Sequence, residues 1–342
     1  MRNVMRPSCP HMSFILLLIS ICLSTFCTRL NADDPPLTLD YYGTSCPSVF
    51  DLIWSEMQCS VTSDPRNAAL VLRLHMHDCF VQGCDGSVLL DDTVTLQGEK
   101  KATQNQHSLK GFKIIDRMKN LVESECPGVV SCADILTIAA RDAVILAGGP
   151  YWDVFVGRKD ARTTSLELAN ANLPAADESL LSITSKFLYQ GLSVTDMAAL
   201  SGAHTIGMAR CANYRSRIYG DVQSTSDDHL LSLRSTCPAG GGGDDNVSAL
   251  DYVTPNQFDH SYYQIMQRGE GLLNSDQELY SSIFSGIETK SLVESYAEDE
   301  LEFFNQFAES MVKMGNISNA DSFVTGEVRK NCRFVNSLIR SE

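Results

Sequence analysis

Basic charge is scarce in this 342-residue chain: 27 Lys and Arg stand against 42 Asp and Glu, a net of −15. A chain so acidic is a poor partner for DNA or RNA, and nucleic-acid binding is set aside. Alternating strand-like patterns are also rare, and no internal repeat is visible, which argues against a mainly β fold. Beyond the first thirty or so residues, no apolar run is long enough to cross a bilayer. What the chain does have starts at its N-terminus. Arg2 and Arg6 precede an apolar run from Phe14 to Phe26, and Asn31-Ala32 puts a small residue near a plausible cleavage point. This reads as a secretory signal over residues 1–32, leaving one domain over 33–342. Without Arg2, Arg6 and Arg29, 24 basic residues face 42 acidic ones, a net of −18.

Of twelve cysteines, Cys9, Cys22 and Cys27 leave with the signal. The other nine are expected to oxidise in an exported chain, and their odd number leaves one thiol over. Cys59, in a helix-like stretch, is the candidate and is expected to be buried and inert. Asn246 and Asn316 lie in Asn-x-Ser sequons, compatible with glycosylation on the secretory route.

The pattern is mostly helical. Apolar residues recur at three and four spacing around Val49-Leu52-Ile53, Ile114-Met118-Leu121 and Leu301-Phe304-Ala308-Met311. Asp64-Pro65 offers an N-cap with proline in the first turn. Ser193 and Asp196 form a capping-box pattern before a helix running through Ala199 and Leu200. Gly240 to Gly243 reads as an exposed loop.

The most informative stretch runs from Arg73 to Ser87. On a helix, Arg73 and His77 are four apart and share a face. A base that exchanges protons near neutrality then sits beside a permanent cation. That pair suits cleavage of an O–O bond, where one group moves a proton and the other stabilises the departing oxygen. Spacing alone also fits a surface arginine and a core histidine. His75 lies about 200° round the helix from His77, away from that face. As strand residues, His75 and His77 could be metal ligands, but the metallo-hydrolase pattern His-x-His-x-Asp-His is not met. Asp78, Asp85 and Ser87 offer hard oxygens with glycines between them, which suits Ca²⁺ or, equally simply, a capped turn.

Arg73-x-x-x-His77-Asp78-Cys79-Phe80, followed by Gly83-Cys84-Asp85-Gly86-Ser87, resembles the distal signature of the class III plant peroxidases. The resemblance covers nearly the whole mature chain. It implies an all-α haem-peroxidase fold of two helical lobes, with one haem b between a distal helix (His77) and a proximal helix (His204). Leu200-Ser-Gly-Ala-His204-Thr205-Ile-Gly207 resembles the proximal segment, making His204 the axial iron ligand. Ser275-Asp276-Gln277-Glu278-Leu279 resembles the segment whose Asp accepts the other N–H of that histidine. By the same match Asn105 orients His77, and the carboxylate of Glu99 supports that network. Two calcium ions are implied. The first takes Asp78, Asp85, Ser87 and the carbonyls of Val81 and Gly83. The second takes Thr205, Asp251, Thr254, Asp259 and the carbonyl of Gln257. The implied disulfides are Cys46–Cys126, Cys79–Cys84, Cys132–Cys332 and Cys211–Cys237, and Pro174 matches a proline at the aromatic-donor channel.

The implied activity is reduction of hydrogen peroxide with one-electron oxidation of small phenols, lignin precursors among them. The implied setting is a monomer outside the cell. The apoplast or wall is favoured over the vacuole, because only a short tail follows Cys332. Three departures stand out: Met76 where the family has Phe, Phe155 where it has Pro, and a short Cys211–Cys237 segment. A flexible thioether beside His77 implies wider access and a risk of sulfoxide formation under peroxide. A calcium-stabilised wall protein without turnover is the alternative of another class, and failure to retain haem would favour it. An electron-transfer cytochrome would need a second strong axial ligand.

Overall fold

The computed structural model describes residues 37–220, 227–282, 286–318 and 325–336. The expected signal peptide, with Cys9, Cys22 and Cys27, lies outside the described residues. From Leu37 onward the chain is one unit. It is built of α-helices, with one two-stranded antiparallel sheet in which β1 (Met208–Arg210) pairs with β2 (Val247–Ala249). The expected all-α class holds.

Helices α1 (Val49–Ser63) and α2 (Asn67–Gln82) lead the fold. α1 is one-sided, burying Val49, Ile53 and Met57. α2 is buried on nearly every side, because Ala68, Val71, Leu72, Leu74, Phe80 and Val81 surround its axis. Its main partner is the equally buried α4 (Cys132–Leu146), which also receives α1 and α3 (Phe112–Glu125). The buried surround holds the polar face of α2 in place.

The start of α2 differs from expectation. Asp64 caps the end of α1, and its carboxylate accepts from the N–H and guanidinium of Arg66. The helix then begins two residues after Pro65, without a side-chain cap. With its carboxylate engaged by Arg66, Asp64 is not available to the first turn of α2.

Short helices follow: α5 (Leu166–Asn172), α6 (Leu180–Tyr189), α7 (Val194–Ser201), α8 (Cys211–Tyr219) and α9 (Asp227–Thr236). The expected capping box is present at the start of α7, with the Ser193 hydroxyl accepting from Asp196 N–H and the Asp196 carboxylate accepting from Ser193 N–H. Last come α10 (Ser261–Gln267), α11 (Asn274–Ser281), α12 (Gly286–Glu298) and α13 (Glu300–Gly315). Two apolar stripes are offset by about a residue from the sequence pattern. In α13 Leu301 is 71% exposed, and Phe303, Phe307, Met311 and Met314 face inward. Phe303 and Phe307 win because their rings lock into Phe258, Tyr263 and Trp152, and each buried ring is worth roughly 1.5–3 kcal/mol. In α3 Val122 takes the place expected of Leu121.

All four implied disulfides are formed. Cys59 is the unpaired thiol among the described residues, but it is exposed on α1, not buried. Its neighbours Met57 and Ser60 take the inward positions instead. Among the described residues, no helix is long and apolar enough to cross a membrane.

Candidate active site

Arg73 and His77 stand one turn apart on α2, and the Arg73 Nε–H donates to His77 Nε2 at 3.2 Å. The guanidinium also donates to the Gln104 carbonyl (2.8 Å) and the Ser108 hydroxyl (3.1 Å). Burial lowers its pKa to about 10, so it stays charged at neutral pH. On the far side of the ring, His77 Nδ1–H donates to Asn105 Oδ1 at 2.5 Å. This fixes the tautomer: the proton sits on Nδ1, and Nε2 carries the lone pair. Burial first, then the charge of Arg73, holds the His77 pKa well below the ordinary imidazole value. His77 is therefore a neutral base near pH 7.

Asn105 is held by its amide, which donates to the main-chain carbonyl of Glu99 at 2.8 Å. The expected support from the Glu99 carboxylate is thus corrected to its backbone. That carboxylate turns away, accepts from the Thr164 hydroxyl, and has its pKa raised to about 8 by burial and Asp85. His75 is buried apart from this network, 3.6 Å from Cys79 Sγ, with its pKa lowered to about 3 by burial and Arg158. His75, Cys79 and Cys84 are close enough to suggest a metal site, but the two sulfurs are joined to each other.

His204 lies just past α7, in a 3₁₀ turn over Gly202–Thr205 rather than in the helix itself. Only glycine fits at position 202: a Cβ there would lie 2.4 Å from the Tyr263 hydroxyl and 2.5 Å from the Phe303 ring. The Tyr263 hydroxyl donates to the carbonyls of Ala198 and Ala199, bracing the end of α7. His204 Nδ1–H donates to Asp276 Oδ1 at 2.8 Å, and the Tyr262 hydroxyl donates to the same oxygen at 3.0 Å. Burial, then Asp276, keeps that phenol protonated. His204 keeps 40% of its side chain exposed, and it is near enough to His77 to help lower that pKa.

The residues expected at two cation sites are also gathered. Asp78 accepts from Gly86 N–H and Val88 N–H, and Asp85 from Ser87 N–H. Burial, then Asp85 and Glu99, pushes the Asp78 pKa well up. Among the described residues, the buried Ser87 Oγ and Glu99 Oε2 face each other with no other hydrogen-bond partner. Val81 and Gly83 flank this loop, and the Val81 carbonyl accepts from Asn172. On the other side, the Thr205 hydroxyl reaches both Asp251 and Asp259 at 3.3 Å, and the Thr254 hydroxyl reaches Asp251 at 3.4 Å. The Gln257 N–H donates to the Thr254 carbonyl in the same turn. Burial, opposed by main-chain N–H groups and reinforced by Asp259, raises the Asp251 pKa. Crowded buried carboxylates that resist ionising are a natural seat for a cation. Pro174 is half-buried between α5 and α6.

Tyr262, Gln104 and Ser108 were not foreseen from the sequence, since each acts through a contact distant along the chain.

An all-α body with an imidazole base and guanidinium on one helix and a second, carboxylate-backed imidazole just past the end of another has the form of a haem peroxidase. A family model described as Peroxidase matches residues 53–299. The chain is 63% identical over 332 residues to Peroxidase 11 of Arabidopsis thaliana, covering 95% of this chain and 98% of that one. It is 47% identical to Peroxidase 49 of the same plant, with 95% and 98% covered, and 48% identical to Peroxidase P7 of Brassica rapa subsp. rapa, with 86% and 98% covered. The chain belongs to the class III plant peroxidases. It is an oxidoreductase that reduces hydrogen peroxide while oxidising a donor, with haem as its cofactor.

The donor set fits that cofactor. His204 commits Nδ1 to Asp276, so its Nε2 would be the atom able to hold a metal. His77 commits Nδ1 to Asn105 and keeps a neutral Nε2 that, among the described residues, accepts only from Arg73.

Proposed function

We propose that His77, Arg73 and Asn105 carry out the peroxide chemistry and that His204, backed by Asp276, is the axial ligand. Haem, when bound, supplies the iron that receives peroxide and the electrons that reduce it. His77 Nε2 takes the proton of the inner peroxide oxygen and returns it to the outer one, which leaves as water. Arg73 must release Nε2 for this, and its guanidinium then stabilises the charge on the departing oxygen. Asn105 keeps the proton on Nδ1 and the ring in line. Asp276 draws on the His204 N–H and makes the imidazole a stronger donor. Calcium would be held by Asp78, Asp85, Ser87 and the Val81 and Gly83 carbonyls, and again by Thr205, Asp251, Thr254, Asp259 and the Gln257 carbonyl. The second ion would brace the residue next to His204. The donors are small phenols entering near Pro174. The protein is a secreted monomer, released by loss of residues 1–32 and acting outside the cell as domain 33–342.

The observation that carries this reading is the paired commitment of the two imidazoles: His77 to Asn105 and Arg73, His204 to Asp276. Replacing His77 with Ala tests it. General acid–base help is worth ~10²–10⁴-fold, so the rate of reaction with peroxide should fall by that order while haem is retained. A nearly unchanged rate would reject the assignment.

A further inference from the structure

The carboxylate behind His204 is shared. Asp276 Oδ1 receives both the His204 Nδ1–H and the Tyr262 hydroxyl, at 2.8 and 3.0 Å. Tyr262 also meets the imidazole edge to face, with ring centres 6.2 Å apart and planes at 84°. The geometry is enforced from outside. Tyr262 is buried on α10, which packs against the 3₁₀ turn carrying His204, and its neighbour Tyr263 is tied to the end of α7. Asp276 is buried as well.

A phenylalanine would fill nearly the same volume, so packing does not account for the hydroxyl. Burying a hydroxyl is costly unless it is hydrogen-bonded, and here its partner is the one oxygen that also serves the iron-side histidine. Two donors on one carboxylate oxygen each draw electron density from it, so each bond is weaker than it would be alone. A ligand imidazole gives more to its metal as its own N–H is pulled harder by the group behind it.

We propose that Tyr262 is a positioning residue that restrains this pull: by sharing Oδ1 it weakens the hold of Asp276 on His204 and so limits electron donation to the haem iron. The proposal rests on the reading of His204 as axial ligand and Asp276 as its partner.

The test uses the haem-loaded protein with Tyr262→Phe, and with Asp276→Asn as the reference. The readouts are the iron–histidine stretching frequency of the ferrous form by resonance Raman and the Fe³⁺/Fe²⁺ potential. Tyr262→Phe is expected to raise the frequency and move the potential negative, and Asp276→Asn to do the opposite. A frequency that stays or falls in Tyr262→Phe, while Asp276→Asn lowers it, overturns the role of Tyr262 and leaves the His204–Asp276 pair standing. An unchanged frequency in Asp276→Asn rejects the pair itself. If Tyr262→Phe fails to hold haem, 3-fluorotyrosine at position 262 replaces it. That stronger donor of similar shape should lower the frequency, and no change would overturn the proposal.

Discussion

Replacing Asn105 with Val removes the one acceptor of His77 Nδ1–H while leaving a side chain of similar bulk. The bond lost is 2.5 Å long and buried. Its net worth to a neutral imidazole is ~0.5–1.5 kcal/mol, and to a charged one ~1.5–3 kcal/mol. His77 is neutral at rest and becomes positive while it holds the peroxide proton. The difference, about 1–1.5 kcal/mol, bears on the barrier and corresponds to roughly tenfold in rate. Loss of the fixed tautomer adds to this, up to the ~10–100-fold typical of groups that orient a reacting or ligating histidine. Stopped-flow measurement of the Soret change against peroxide concentration should therefore give a second-order constant about 10–100-fold lower. The reasoning stands or falls on the double variant. Asn105 acts through His77, so Asn105→Val should cost less than about twofold once His77 is already Ala. An equal loss in both backgrounds would refute it.

Three further predictions follow from the same structure. Because burial and Arg73 depress the His77 pKa, the base is present above that lowered value. The peroxide rate should then stay level as pH falls from 8 through 6.5 and drop only below, whereas an acid limb centred at or above 6.5 would contradict the depressed pKa. Calcium chelation should lower the thermal midpoint, since an ion at about 100 times its Kd stabilises by ~2.7 kcal/mol. Metal analysis should find two ions, and a midpoint indifferent to EGTA would remove both sites. Met76 is half-buried beside His77, so prolonged turnover with excess peroxide should leave it as sulfoxide in peptide maps. Inactivated enzyme with unmodified Met76 would rule this out.

Much of the site was legible because its residues are close in sequence. Arg73 and His77 share a helix face by spacing, and the run from Asp78 to Ser87 keeps its oxygens within ten residues at the end of α2. The long-range members came only from family likeness, since nothing in the local pattern links Asp276 to His204 across 72 positions. Where the local reading failed, a tertiary contact overrode it. Asp64 bonds Arg66 rather than opening α2. Past Ser201 the chain tightens from α7 into a 3₁₀ turn at Gly202, where Tyr263 and Phe303 leave no room for a side chain. Leu301 fits the apolar period of α13, yet the rings of Phe303 and Phe307 decide which face turns inward. Cys59 lies on a helix as expected, but on the solvent side, which a period of 3.6 cannot settle for an isolated cysteine. The role given to Glu99 failed differently, because its backbone and its carboxylate serve different neighbours.

The most direct test is the visible spectrum of the haem-loaded protein before and after one equivalent of hydrogen peroxide, followed by a phenol. The account predicts a Soret band that falls and shifts within seconds and returns when the phenol is added. A haem-loaded protein whose Soret band ignores peroxide would contradict the proposed roles of His77, Arg73 and Asn105.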